Sequence, residues 1–387
     1  MKRTAVSFMA LILGLVVLAV LVTMPDATQA GAAKQFKIGV MAPMTGDLAR
    51  WGLDHLHATE LAAEEINAKG GVLGAKVVVV GEDDQHNPKL GEAVAQKFVD
   101  DKDVMGVIGP YNSAVTLAVT PIFEKVGLIH MGASTSNPKL TEQGYKTVFR
   151  VCSRDDRQGP AGAEYVLKTL KAKKVAVLDD QTTFGKGVAD EFVKKVESEG
   201  VKPMRSVIKA GDKDFRAVLG TIPKDTAAIY YGGYAPEAAL LVRQLKELGH
   251  KAVFLGPDGL FEPEDYIKAA GGTAEGSIVT ALAAPPESVP AAKDFIKKYE
   301  AKYGTIGPYS LNVYDGVNII FAAIKRAGKF DRKAIAAEVA KTKNYKGISS
   351  GHMITFNEKG DNVNASVYVY KVQDGKFNLI KEITFGQ

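Results

Sequence analysis

Short apolar runs in this chain are each followed by small hydroxylic or acidic residues. Thr45 follows FKIGVMAP, Asn112-Ser113 follows VMGVIGP, Ser134-Thr135-Ser136 follows LIHMGA, and Asp258 follows AVFLGP. Hydroxyls beside the free N–H groups of a helix start suit a carboxylate, and a lone carboxylate opposite suits an ammonium. The set fits a zwitterion. Ser113 and Ser136 are also preferred helix N-cap residue types, so plain capping is the competing reading.

Catalytic constellations are absent. The chain has no G-x-x-x-x-G-K-[ST] loop, no G-x-G-x-x-G after its first apolar run, no G-x-S-x-G elbow and no H-E-x-x-H. His55 and His57 are two apart and so face different sides of a helix, which is poor spacing for a metal pair. His130 lies between apolar neighbours and reads as core, while Glu64-Glu65 and Asp83-Asp84 have surface or cap explanations. Cys152 is the single cysteine, so no intramolecular disulfide forms, and VFRVCSR reads as a strand end with a structural thiol. A hydrolase remains a minority alternative; the expectation is no catalysis, no metal and no cofactor.

The elements that would position these residues alternate along the chain. FKIGVMAP, VVVVGEDD, VMGVIGP and LIHMGAS read as buried parallel strands, separated by helices over 55–69, 90–101 and 114–126. After Val148–Val151 the pattern restarts with KVAVLDD, a helix over 185–199, a strand near 206–209, a helix over 214–222, AAIYYGG, a helix over 236–248 and AVFLGPDG. This period predicts βαβ units and two α/β lobes, each with a parallel sheet. The strand ends Ile108-Gly109-Pro110 and Leu255-Gly256-Pro257 rhyme, as if they were corresponding strands. A tail follows with IVTAL, helices near 291–303 and 310–327, a short helix after Asp331, MITF, and a hairpin from ASVYVYKV and FNLIKEITF turning at Asp374-Gly375.

Composition agrees with a folded globular chain: 387 residues, 46% hydrophobic and 24% charged, enough for about two domains. A formal charge of +5 spread without a basic block gives no support to nucleic-acid binding. Lys2 and Arg3, the run LILGLVVLAVLV and the small-residue end Thr28-Gln29-Ala30 read as a secretory signal peptide over residues 1–30, with an uncleaved anchor as the alternative.

Taken in order, MAPMTGDLARWG, INAKGGVLG, VIGPYNSAVT, MGASTSNPKLTEQGY, RDDRQGP, DDQTTFGKG, YYGGYAPE and FLGPDG resemble the periplasmic leucine and Leu/Ile/Val-binding proteins of ABC importers, over nearly the whole chain from about Gln35. The resemblance implies an α/β fold of the type I periplasmic binding protein class: two doubly wound parallel-sheet lobes joined by three crossing segments, near 151–155, 280–284 and 354–357. Lobe 1 would take 34–152 and 282–354, and lobe 2 would take 153–281 and 355–387. It also implies a periplasmic, monomeric protein that closes on a small amino acid and delivers it to a membrane permease.

By motif, the resemblance assigns Ser113 and Ser136 to the ligand's carboxylate and ammonium, with Ser134 and Thr135 just before Ser136. The Ser134 carbonyl would serve the ammonium, as would Asp258, and Tyr234 would support that end from lobe 2. Trp51 would wall the side-chain pocket, as in leucine-preferring members. Four positions depart from the family pattern: Phe184 stands where a Tyr is usual, Asp258 where the longer Glu is usual, and His86 and Asn112 where enteric-type members have a disulfide pair. A different carboxylate or amide ligand, or a membrane-anchored sensory module, are the alternative expectations.

Overall fold

Apolar runs too short for a helix, separated by amphipathic stretches long enough to cross back, assemble as a parallel sheet. The computed structural model describes residues 34–385, so the signal-peptide reading lies outside the described residues. The first half contributes β1 (Gln35–Ala42), α1 (Ala49–Ala68), β2 (Lys76–Asp83), α2 (Pro88–Asp100), β3 (Val104–Ile108), α3 (Ser113–Val126), β4 (His130–Gly132), α4 (Lys139–Glu142) and β5 (Val148–Arg150). Its strands form an all-parallel sheet in the order β2-β1-β3-β4-β5.

The second half contributes α5 (Asp155–Glu164), β6 (Val175–Asp179), α6 (Thr183–Ser198), β7 (Met204–Val207), α7 (Arg216–Leu219), β8 (Ala228–Gly232), α8 (Ala235–Glu247), β9 (Val253–Gly256) and β10 (Ile278–Ala281). Three helices follow: α9 (Lys293–Tyr303), α10 (Ser310–Ala327) and α11 (Arg332–Ala340). The chain ends in β11 (Val367–Gln373) and β12 (Lys376–Ile383), and the second sheet runs β12-β11-β10-β9-β8-β6-β7. The helices α9 to α11 return to the first sheet's side, with α10 packed on α1, β3 and β4. The contact is close: a Cβ on Gly316 would stand 2.8 Å from Met131.

The two sheets share a core order, since β7-β6-β8-β9-β10 repeats β2-β1-β3-β4-β5. This order reverses between β1 and β3 and again between β6 and β8, and open α/β sheets bind ligands outside the strand ends at such switch points. The repeat also corrects the rhyme noted above: β9 is the counterpart of β4, and the true counterpart of β3 is β8. The second sheet is mixed rather than parallel, because β11 and β12 join it antiparallel. Their turn has φ of 55° at Asp374 and 68° at Gly375, the conformation that a two-residue hairpin needs.

Several elements differ in extent from the sequence expectation. α1 begins at Ala49, so Trp51 lies in its first turn and not in a loop; Leu48 at the N-cap makes no side-chain cap bond, leaving no capping signal to read. The helix expected over 214–222 shrinks to the four residues of α7. MITF makes isolated bridges, Tyr345 to Ile354 and Phe356 to Asn362, and joins neither sheet.

Where the chain first leaves the first sheet, two crossing segments run side by side. Arg150 N–H donates to Gly360 O at 3.0 Å, Asn362 N–H to Arg150 O at 3.3 Å, and Asn362 Nδ2 to Val151 O at 3.0 Å. The Arg150 guanidinium is buried here; Nε donates to Asp361 Oδ1 at 2.6 Å, Nη2 to Thr141 Oγ1 at 2.6 Å, and Nη1 to the carbonyls of Asn137 at 2.9 Å and Thr135 at 3.3 Å. Arg154 adds a bond to Asp361 Oδ2 at 2.8 Å. Burial works to raise the Asp361 pKa, but the two guanidiniums outweigh it and hold the carboxyl below its ordinary value.

Removing one member of a buried ion pair strands the other, at a cost of about 3–5 kcal/mol. Asp361→Ala is expected to lose stability on that scale in urea unfolding at pH 7. A carboxyl with a depressed folded pKa contributes stability above its unfolded value and loses it as pH falls through the folded one. The gap between wild type and variant should therefore narrow on acidification; a gap that is constant down to pH 3 would rule out the ion pair as its cause.

Candidate functional site

The loops after β3, β4, β8 and β9 and the start of α6 converge on a small cavity lined by Tyr111, Ser113, Ser134, Phe184, Tyr234, Asp258 and Gly259. It measures about 10 Å³, the scale of a single water-sized centre. A larger depression of about 750 Å³ lies on the first lobe against α11, lined by Lys146, Lys333 and Lys343 among others, and none of the expected site residues reaches it.

Neither candidate serine is used up as a cap. Asn112 is the N-cap of α3, without a side-chain cap bond, and Ser113 is the helix's first residue; Pro138 precedes α4. The first N–H groups of the fourteen-residue α3 are thus left to whatever lies in the cleft, beside the Ser113 hydroxyl. In the loop after β4, Ala133 O accepts from Asn312 Nδ2, Thr135 O from Arg150, Ser136 O from Asp155 N–H and Asn137 O from Arg150. The Ser134 carbonyl accepts no bond among the described residues. Ser134 Oγ donates to Tyr111 O at 3.3 Å, with His55 Nε2 at 3.4 Å. Burial drives the His55 pKa down to about 4, so this imidazole is neutral.

The opposite side of the cavity is acidic. Asp258 is buried; its Oδ2 accepts from the Tyr309 hydroxyl, and its Oδ1 has no partner among the described residues. Burial raises its pKa to about 6, against the lowering effect of the Tyr309 bond. Asp155, the first residue of α5, is fully buried with neither carboxylate oxygen bonded, and Ser136 Oγ is likewise unpartnered. Burial first, and then the charge of Asp258, push Asp155 well above the ordinary carboxylate range. Two carboxylates therefore share this end of the site.

Contacts bridge the lobes around the cavity. Asn112 Nδ2 donates to Tyr234 Oη at 2.9 Å, and Asn137 Nδ2 to Thr183 O at 3.0 Å. Tyr309, at the N-cap of α10, reaches Asp258, and Arg50 Nε pairs with Glu262 Oε1 at 3.2 Å. The Phe184 ring sits 5.2 Å from Tyr234.

Of the expected residues, Ser113, Ser134, Phe184, Tyr234 and Asp258 line the cavity together, with Ser136 beside Asp155. Two are placed elsewhere. Thr135 is turned under β4, where its Oγ1 would stand 2.2 Å from a Cβ on Gly132, and it does not line the cavity. Trp51 is buried and does not line the cavity; its ring lies 5.3 Å from that of Tyr111, which does, and 5.8 Å from that of Tyr309. Tyr111, Tyr309 and Asp155 were not singled out from the sequence. Tyr111 and Asp155 occur inside GPYNSAVT and RDDRQGP, so the signal was adjacency to a strand end or helix start. Tyr309 precedes a helix that returns from the far part of the chain, and no local pattern ties it to the cleft.

Mirrored open sheets with a polar cleft at their switch points define a solute-binding protein of the type I periplasmic class. The family comparison agrees: residues 35–376 match the model described as periplasmic binding protein, and the chain belongs to that family. It is 36% identical over 343 residues to a Leu/Ile/Val-binding protein of Rhizobium johnstonii, covering 88% of this chain and 92% of the relative. An amino acid binding protein of Pseudomonas aeruginosa is 34% identical, covering 89% and 92%. Among solved structures, a leucine binding protein from Thermotoga maritima superposes with a TM-score of 0.83 at 35% identity, covering 90% of this chain and 98% of that one. A branched-chain amino acid transporter substrate-binding protein from Streptococcus pneumoniae, in complex with isoleucine, gives 0.83 at 28% identity, covering 91% and 100%.

The raised Asp258 pKa has a signed consequence. Between its unfolded value of 3.8 and its folded value of about 6, folding takes up a proton, so stability falls as pH rises through that window. Above it the penalty is complete, on the order of 3 kcal/mol. Asp258→Asn is expected to stabilise the ligand-free protein at pH 8, with the advantage vanishing near pH 4, as read from urea midpoints. A variant less stable than wild type at pH 8 would contradict this.

Proposed function

We propose that the cleft binds a small aliphatic L-amino acid of the leucine, isoleucine and valine type, and that the protein delivers it to an ABC permease without catalysis. The observation that carries this is the polarity of the site. One end offers the free N–H groups of α3 with Ser113; the other offers Asp258, Asp155 and an unused Ser134 carbonyl. Only a ligand with an anion and a cation a few bonds apart satisfies both ends. The names of the relatives and structural neighbours support the same ligand class. The division proposed for closure is 34–152 with 282–354 against 153–281 with 355–387, in a periplasmic monomer freed of residues 1–30.

A ligand that touches both lobes binds the closed form better and so favours closure. The test strips carried-over ligand by unfolding and refolding, then titrates L-leucine, L-isoleucine, L-valine, L-serine and 4-methylpentanoate while following Trp51 emission and melting temperature. The expected result is saturable binding of the branched-chain amino acids alone. Asp258→Asn should weaken them at least thirtyfold, about 2 kcal/mol, since it uncouples a buried charge pair. An equal effect on 4-methylpentanoate would remove the ammonium role.

A further inference from the structure

A buried carboxylate depends on whatever cation is in reach, and Glu262, whose side chain is fully buried, finds its cation on the opposite side of the cleft. Glu262 follows β9 and leads into the turn Pro263–Lys268, which packs on α8 of the second sheet. Arg50 is the second residue of α1, which packs on β1 and β2 of the first. We infer that Arg50 is a positioning residue for closure: paired with Glu262 across the mouth, it sets how tightly and how long a ligand is held without touching that ligand. This rests on the amino-acid binding and closure proposed above.

Glu262 has no second source of positive charge among the described residues. Arg50 Nε lies 3.2 Å from Glu262 Oε1, while Asp54 and Asp265 add like charge nearby. Within its own side of the cleft the Glu262 side chain accepts from Glu264 N–H at 3.1 Å, and Oε2 accepts nothing among the described residues. Burial pushes its pKa to about 7, with the Arg50 charge acting against that rise. Arg50 Nε also lacks a hydrogen bond among the described residues, so charge rather than a fixed bond joins the two groups. A buried ion pair without good hydrogen-bond geometry barely repays its desolvation, and it can part when water reaches it. Losing one partner is costlier, because the other is left buried and alone.

A second pairing of opposite sense lies at the same end of α1. Lys213, whose carbonyl accepts from Gln244 of α8, reaches to 3.9 Å from Asp47, two residues before α1. Asp47 and Arg50 on one side therefore face Lys213 and Glu262 on the other, each opposite its complement. Between them runs a groove of about 500 Å³, lined by Asp47 and Arg50 from the first side and by Lys213, Pro236, Arg243 and Asp265 from the second. It is separate from the small cavity, which neither Arg50 nor Glu262 lines. Asp47 and Lys213 are largely exposed, so their pair is weak. Without Arg50, by contrast, closure would hold Glu262 among other carboxylates, and separating the lobes would hydrate it. Arg50 also eases Asp54, four residues on in its own helix, so its removal touches folding as well.

The test separates those two effects. It is made at pH 8, where Glu262 carries its charge in wild type, on refolded mature protein titrated calorimetrically with L-leucine, L-isoleucine and L-valine. Arg50→Met keeps much of the stem and removes the charge; it is expected to weaken L-leucine about tenfold, mostly through faster dissociation in stopped-flow. Arg50→Lys should stay within threefold of wild type. Adding Glu262→Gln to Arg50→Met removes the stranded charge and keeps an acceptor for Glu264 N–H, and should recover at least threefold. A loss that came from Asp54 or from packing would not be recovered this way. Unchanged affinity in Arg50→Met, or a double variant no tighter than Arg50→Met, would overturn the latch. Failure of all three amino acids to bind wild type would instead defeat the amino-acid reading, and X-ray scattering of the ligand-free protein would then judge the latch. There Arg50→Met is expected to show the larger radius of gyration, with the double variant returning toward wild type, and equal radii would overturn the role given to Arg50.

Discussion

A carboxylate taken out of water has to meet a positive group or give up its charge, and Asp155 and Asp258 are both buried at the same end of the cleft. Arg150, the guanidinium close enough to act on Asp155, is committed to Asp361 and to two loop carbonyls. The remaining help for the pair is neutral: a tyrosine hydroxyl and the Gln158 amide on Asp258, and a serine near Asp155. The cleft therefore carries an unmet demand for a cation, and the rest of the site is arranged around that demand. The strand ends bring the two acids together, the uncapped α3 supplies the opposite polarity some distance away, and aromatic rings exclude water from the space between.

The contacts that hold the lobes together have the same character. Tyr309 with Asp258 and Asn112 with Tyr234 are single bonds in which one partner of each, Asp258 and Tyr234, lines the cavity. An ammonium at Asp258, as proposed above, would compete with a hydroxyl for the same carboxylate, and it would bring a full charge where the hydroxyl brings a dipole. Ligand binding and lobe closure thus draw on one group of atoms, and a ligand shifts the balance between open and closed forms by the difference in how well each satisfies that group.

Much of the architecture was legible because its signals are local. Continuous apolar runs such as VMGVIGP and AAIYYGG had the length and β-branched or aromatic content of buried strands, and the Asp374-Gly375 turn fixed the last hairpin. Site residues at strand ends, Ser113, Ser134 and Asp258, were legible for the same reason: topology places strand ends at the cleft, whereas Tyr234 and Phe184 were legible only through the family resemblance. What was not legible depends on contacts between distant segments. The early start of α1 has no cap to announce it, so the helix read as starting at His55 and its first turns, with Trp51, went unread. Tyr309 reaches the site only through a helix that returns across the lobe boundary. Asp155 sat in plain view within RDDRQGP, but its role comes from being desolvated beside Asp258, which spacing along the chain does not encode. The rhyme of Gly-Pro strand ends misled for a related reason, since equivalent strands are defined by neighbours in the sheet and not by how they end.

The pairing of residues 150–151 with residues 360–362, between the two sheets, bears on mechanics. A single connecting strand can twist, bend or slide. Two strands bonded side by side through Gly360, Arg150 and Asn362, and pinned by a buried ion pair, resist torsion and shear while still flexing across their common width. Such a pair behaves as a leaf hinge, stiff to twisting and soft to bending across its width. A hinge of that kind would make the spacing between the two sheets' outer faces a function of one bend angle alone.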